Sequence, residues 1–298
     1  MTDARLKMQD PREQYPKPPF PKQPQPAPGL ASHMQPRPDH GETSYRGAGR
    51  LTGRKALVTG GDSGIGRAAA IAFAREGADV ALGYLPAEQE DVQEVLQLIE
   101  AEGRKAVAIP GDITREAFCR ELVETAVRQL GGLDILVNNA GKQRTQRTIG
   151  EITTEQFDAT LKTNLYAMFW ITQAAEPHLP KGAAIINTAS IQAVEPSEAL
   201  LDYATTKAGI VAFTKALSKQ LIKLGVRVNA VAPGPVWTAL QPSGGQTQER
   251  VKHFGETAPM GRPGQPVELA PVYVLLASQE ASFITGEVYG VTGGEGVV

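Results

Sequence analysis

Short apolar runs alternate with longer amphipathic stretches from residue 55 to the end of the chain. Runs at 56–58, 80–82, 106–109, 135–137, 184–186, 226–228 and 287–289 have strand length, most of them apolar at successive positions. That pattern fits strands buried on both faces. Between them, 67–75, 87–102, 115–130, 154–176 and 203–224 have helix length. The repeated strand–helix–strand order predicts an α/β fold: one doubly wound, mostly parallel seven-stranded sheet with helices on both faces. A single domain, 51–298, holds the pattern. Within it, 238–262 is rich in Gly, Gln and Pro and is expected to be an irregular excursion that covers a site.

Residues 1–50 break the pattern. Ten of the 22 prolines lie there, as in Pro16-Lys17-Pro18-Pro19-Phe20-Pro21. Proline removes backbone donors and enforces extended geometry, so neither helix nor central strand is expected. Up to Arg54 there are nine Lys/Arg against five Asp/Glu, a balance of +4, which leaves −6 on the rest of a chain of net charge −2. The segment reads either as a disordered tail or as an arm over a neighbouring subunit, anchored by Tyr15, Phe20 and Tyr45.

Composition narrows the function. The near-neutral charge advertises no nucleic-acid or acidic-membrane partner. Apolar runs of strand length predict no transmembrane helix, and the N-terminus lacks a signal-peptide core. The single cysteine, Cys119, excludes an intrachain disulfide and suggests the cytoplasm. His33, His40, His178 and His253 lack ligand spacing, so no catalytic metal is expected.

The chemistry-bearing residues fall at strand ends and on one helix. The first strand runs into Thr59-Gly60-Gly61-Asp62-Ser63-Gly64-Ile65-Gly66. Glycines 60, 64 and 66 permit a tight turn and close backbone approach to a pyrophosphate, which the following helix N-terminus would also attract. Asn138-Asn139-Ala140-Gly141 closes the fourth strand, either as a plain turn or as a support for the central crevice. Ser190 follows the fifth strand, as a turn cap or as a group that holds a substrate oxygen. Tyr203 and Lys207 lie one helical turn apart, so an ammonium there would favour the phenolate and draw the phenol towards working pH. Tyr203 would then be a general acid to a carbonyl oxygen, or the base in the reverse direction.

These motifs, with Gly111-Asp112-Ile113, Asn164 and Pro233-Gly234, occur in the order of the short-chain dehydrogenase/reductase family, which the chain resembles from Lys55 onward. The proline-rich segment, with Gln9-Asp10-Pro11-Arg12 and Pro38-Asp39-His40-Gly41-Glu42, resembles a bacterial subgroup of general-stress-protein-like and YghA-like oxidoreductases. The resemblance implies a Rossmann-type fold and an NAD(P)-dependent enzyme interconverting an alcohol and a ketone or aldehyde. It assigns catalysis to Asn164 (holding a relay water), Ser190, Tyr203 and Lys207, the lysine also bonding the nicotinamide ribose. It assigns cofactor contacts to Gly60, Asp62, Ser63, Gly64, Ile65 and Gly66, to Asp112 and Ile113, and to Asn139, Ala140 and Gly141. Pro233, Gly234, Val236 and Thr238 would pass the nicotinamide.

Asp112 also reads as the N-cap of a helix starting near Thr114. Tyr84 stands where NAD users of the family carry an acid, so the cofactor is NADP or NAD with a slight lean to NADP. Relatives usually form homotetramers through the long helices and the last strand. A non-catalytic dinucleotide sensor or scaffold is the alternative. An epimerase or dehydratase would need a longer C-terminal region.

Overall fold

Alternate residues of the central strands face opposite helix layers. Ala56 and Val58 share one core with Ile71, Val95 and Val274, whereas Leu57 packs with Cys119, Leu122 and Ile171 on the other face. Both faces are apolar because neither meets water, as parallel sheets with crossover helices require. The computed structural model describes residues 7–296.

The strands are β1 (Lys55–Thr59), β2 (Asp79–Tyr84), β3 (Ala106–Pro110), β4 (Ile135–Asn138), β5 (Ala184–Thr188), β6 (Arg227–Pro233) and β7 (Val288–Val291). They form one sheet in the order β3-β2-β1-β4-β5-β6-β7, every neighbouring pair parallel. The order reverses between β1 and β4, so a crevice opens at their carboxyl ends. The helices are α1 (Gly64–Arg75), α2 (Gln89–Ala101), α3 (Glu116–Leu130), α4 (Thr154–Leu161), α5 (Ala167–Ala175), α6 (Leu201–Leu221), α7 (Gln248–Lys252) and α8 (Pro266–Ala277). No helix among the described residues is long and apolar enough to cross a membrane. Cys119 is fully buried on α3, its thiol donating to the Ile113 carbonyl (3.1 Å), and burial raises its pKa to about 12.

Two elements differ from the pattern-based expectation. The helix expected over 154–176 is α4 and α5 joined by a π-helical turn, Lys162–Tyr166. Across the π turn the buried positions (156, 160, 164, 167, 168 and 171) still recur at helical spacing, so periodicity does not betray it. Helix α8 has no clear polar face, and it holds Pro266 in its first turn and Pro271 inside. Its one signal is the capping box between Gln265 and Glu268.

The proline-rich segment packs on its own chain. Tyr15 lies under the Arg262 guanidinium, 5.2 Å from ring centre to carbon, and donates to Asp39 (3.0 Å). Phe20 is buried with Met34, Trp237 and Val251, its ring 4.2 Å from that of Trp237. Burying such a side chain contributes about 1.5–3 kcal/mol. Tyr45 enters the main core and donates to Glu76 (2.6 Å). The three expected anchors are thus used within one chain. The opposite charges of arm and body meet in Arg50–Glu76, Arg37–Glu94 and Lys22–Glu249 pairs.

Candidate active site

One cleft of about 860 Å³ runs along the carboxyl ends of the strands from the β1–α1 turn to Tyr203. At one end, Gly60 and Gly64 take positive φ (+63° and +54°), which L side chains resist. Gly66 does not line the cleft; a Cβ there would stand 2.0 Å from the Gly60 carbonyl oxygen, so its bareness lets α1 approach β1. Ser63, the N-cap of α1, makes no side-chain capping bond. The first-turn amides of α1 thus keep donors for an anion, with the helix dipole behind them. This bare-backbone cradle and uncapped helix start fit a pyrophosphate.

Asp62, Ser63, Gly64, Ile65 and Tyr84 line this end. The Asp62 carboxyl is buried beside Glu88, which also lines the cleft. Burial first, then repulsion within the acidic group that includes Asp91, raises both pKa values, so the pair holds a proton near neutral pH. Glu88 carries no motif and becomes a site residue only because the turn after β2 meets the β1–α1 turn. Tyr84 donates to Gln89 (2.6 Å). Asp112 and Ile113 line the cleft beside β3. Asp112 also accepts from Thr114 N–H (2.9 Å), but α3 itself begins at Glu116, two residues later than expected.

The middle of the cleft is tied by β4. The Thr59 hydroxyl accepts from the N–H groups of Asn139 (3.0 Å) and Ala140 (3.1 Å), and the Asn139 amide donates to the Thr59 and Gly60 carbonyls. Asn139, Ala140 and Gly141 line the cleft, as do Pro233, Gly234, Val236 and Thr238 across from them. A Cβ on Gly64 would lie 3.2 Å from the Thr238 methyl, so the segment after β6 closes onto the glycine turn.

At the far end, Tyr203 and Lys207 project from one face of α6 towards Ser190. The Lys207 amine is 5.3 Å from the Tyr203 ring centre and donates to the Thr188 carbonyl (2.7 Å). Burial lowers its pKa to about 7. Burial raises the Tyr203 pKa to about 12, partly offset by a hydrogen bond with Ser190. The expected downward pull of the lysine is therefore outweighed by desolvation. Ser190 accepts from Gln192 N–H (3.1 Å) as the foreseen cap, and its hydroxyl also faces the phenol.

Asn164 stands behind the wall, in the π turn. Its oxygen accepts from Lys142 N–H (2.7 Å), and its amide donates to the Lys142 carbonyl and the Thr206 hydroxyl (3.0 Å each). From the π turn this side chain reaches both the irregular segment following Gly141 and α6. Arm residues Ala27 and Pro28 and the C-terminal Glu295 also line the cleft. No pattern in the sequence marked them.

Comparison with known proteins agrees with this geometry. Residues 60–295 match the family model adh_short_C2, described as enoyl-(acyl carrier protein) reductase. The chain is 60% identical over 288 residues to the oxidoreductase YghA of Escherichia coli (strain K12), covering 97% of this chain and 98% of that one. It is 51% identical to general stress protein 39 of Bacillus subtilis (strain 168), over 90% of this chain and 93% of the other. A short-chain dehydrogenase from Burkholderia cenocepacia J2315, solved in complex with NADP, superposes with a TM-score of 0.77 at 36% identity, covering 82% and 98% of the two chains. The chain belongs to the short-chain dehydrogenase/reductase family, alongside YghA and general stress protein 39.

Proposed function

We propose that the protein is an NAD(P)-dependent oxidoreductase interconverting an alcohol with a ketone or aldehyde. One observation carries the reading: Tyr203, Ser190 and Lys207 converge at one end of a cleft whose other end is a bare glycine turn at a helix start. A bound nicotinamide dinucleotide supplies or accepts the hydride. Gly60, Gly64, Ile65 and the start of α1 would hold its pyrophosphate, while Asp112, Ile113 and Asn139 to Gly141 flank its length. Pro233, Gly234, Val236 and Thr238 would pass the nicotinamide.

In reduction, Ser190 holds the substrate oxygen and Tyr203 donates its proton to it. With a pKa of about 12 the phenol stays protonated at working pH, as an acid must. Protonated Lys207 stabilises the phenolate left behind. Asn164 ties Lys142 to α6 and is the candidate for holding a proton-relay water next to Lys207. Gln241 and Gln246 line the cleft with buried amide oxygens that have no partner, which favours substrates carrying hydroxyl groups.

NADP is the favoured cofactor over NAD. Tyr84 replaces the ribose-binding acid, the proton held by Asp62 and Glu88 softens repulsion of a 2′-phosphate, and the Burkholderia relative was solved with NADP. Side-by-side fluorescence titrations with NADPH and NADH test this; a strong NADH preference would reverse it. We take the protein to be cytoplasmic, from its single cysteine, and a homotetramer, by analogy with the family.

Tyr203→Phe tests the chemistry. Turnover of a panel of small aldehydes, ketones and hydroxyaldehydes is expected to fall by at least ~10²–10⁴-fold, the usual worth of a general acid, with dinucleotide affinity kept. Wild-type turnover in that variant would leave the sensor or scaffold reading in its place.

A further inference from the structure

The arm roofs the cleft. Residues 25–31 run from one rim to the other. At the rim formed after β6, Gln25 N–H donates to the Pro242 carbonyl (3.4 Å), and the Ser243 hydroxyl lies between the Pro28 carbonyl (2.9 Å) and the Ala239 carbonyl (2.8 Å), which share its one proton. At the opposite rim, Asp91 in the first turn of α2 accepts from the N–H groups of Ala31 (2.5 Å) and Ser32 (3.1 Å). Asp91 is 1% exposed, so these donors take the place of water around its oxygens. Between the two anchors, Ala27 and Pro28 face the cleft. Outside them, Phe20 N–H donates to Lys252 (2.8 Å) and the Trp237 indole N–H to the Pro36 carbonyl (2.8 Å).

We propose that residues 25–31 are a strap closed over the dinucleotide cleft, and that it must leave a rim for dinucleotide to exchange. Asp91 is the positioning residue that holds it shut, with Ser243 as the opposing anchor. The proposal rests on reading the cleft as a dinucleotide site. The rims belong to different elements, α2 and the segment after β6, and a ligand reaching from the glycine turn to Tyr203 passes between them. Pro26 and Pro28 leave the strap, which turns at Ala27 and Pro28, few backbone donors of its own. Its attachment therefore resides in a few bonds, of which the pair to the Asp91 carboxylate is charge-assisted. Such a segment opens locally while the sheet stays folded.

The test is stopped-flow release of NADPH and NADH, followed by nicotinamide fluorescence, from the full chain and from Asp91→Ala, Asp91→Asn and Ser243→Ala. Thermal melting runs alongside. Losing the two bonds to a carboxylate is expected to speed release about tenfold or more in Asp91→Ala. Asp91→Asn, which keeps a neutral acceptor, should fall between it and the wild type, and Ser243→Ala should also speed release. A purely structural role would lower the melting temperature and leave release unchanged, and that result overturns the strap. If Asp91→Ala does not fold, Ser243→Ala and Phe20→Ala decide on the same readout. A wild-type chain that binds neither dinucleotide refutes the cleft assignment and the strap together. Binding with unchanged release refutes the strap alone.

Discussion

Tyr203 and Lys207 were placed on one face by their spacing, but burial sets their acidity in opposite directions. Sequence shows the distance along the helix and not how far water is excluded, which is why the phenol's shift ran against expectation. For Lys207 the consequence is measurable: with a pKa lowered to about 7, the free protein changes charge at this residue near neutrality. The pH profile of kcat/KM for the dinucleotide is expected to bend near 7, and the bend should vanish in Lys207→Arg, which stays charged throughout. The glycines of the β1–α1 turn were legible because backbone geometry leaves few substitutes. The Asp62–Glu88 pair was not, since the two residues meet only after β1 and β2 are side by side. Their raised pKa values mean that the folded state holds a proton the unfolded chain releases, so their contribution to stability fades as pH rises through the folded-state values. Glu88→Gln keeps an acceptor for Leu85 N–H (2.8 Å in the parent) without the charge. Its melting temperature should exceed the parent's by about 2 °C or more at pH 8, with the gap shrinking at pH 5.

Elements buried on both faces were the most legible. Runs such as Ala56-Leu57-Val58 and Ile185-Ile186 admit no solvent-facing alternative and became β1 and β5. The π turn at Asn164 and helix α8 stayed hidden, one for keeping the helical stripe and the other for lacking a polar side. The junction of arm and α1 was equally silent. There Glu76, the C-cap of α1, is buried and accepts from Tyr45, from Ala48 N–H (2.8 Å), and from both the backbone and side chain of Arg50. Burial alone would raise its pKa, but the hydrogen bonds from Arg50 and Tyr45 outweigh this and hold it at about 2. A depressed carboxyl stabilises the fold above its unfolded pKa and loses that contribution as pH falls through the folded value. Glu76→Gln should cost about 2 kcal/mol at pH 7 in urea unfolding, allowing for solvent screening of half-buried Arg50. The difference should close on acidification.

Across the whole molecule, the charge division between arm and body was visible in the sequence, but its destination was not. Complementary charge does not say whose body an arm will meet. Apolar side chains left outside the chain's own core, among them Tyr166 and Phe169 around α5, Leu201 at the start of α6 and Phe283 before β7, lie on the elements that pair in the proposed tetramer. Sedimentation velocity should show a four-chain species, and a monomer at micromolar concentration would remove that part of the reading. The sealed thiol of Cys119 has a separate use. Because this side chain is unexposed and resists ionisation, maleimides and disulfide exchangers should reach it only when α3 leaves the sheet. Labelling kinetics of the unaltered chain thus become a clock for large-scale opening, and any cysteine engineered onto the surface will react as a solitary handle.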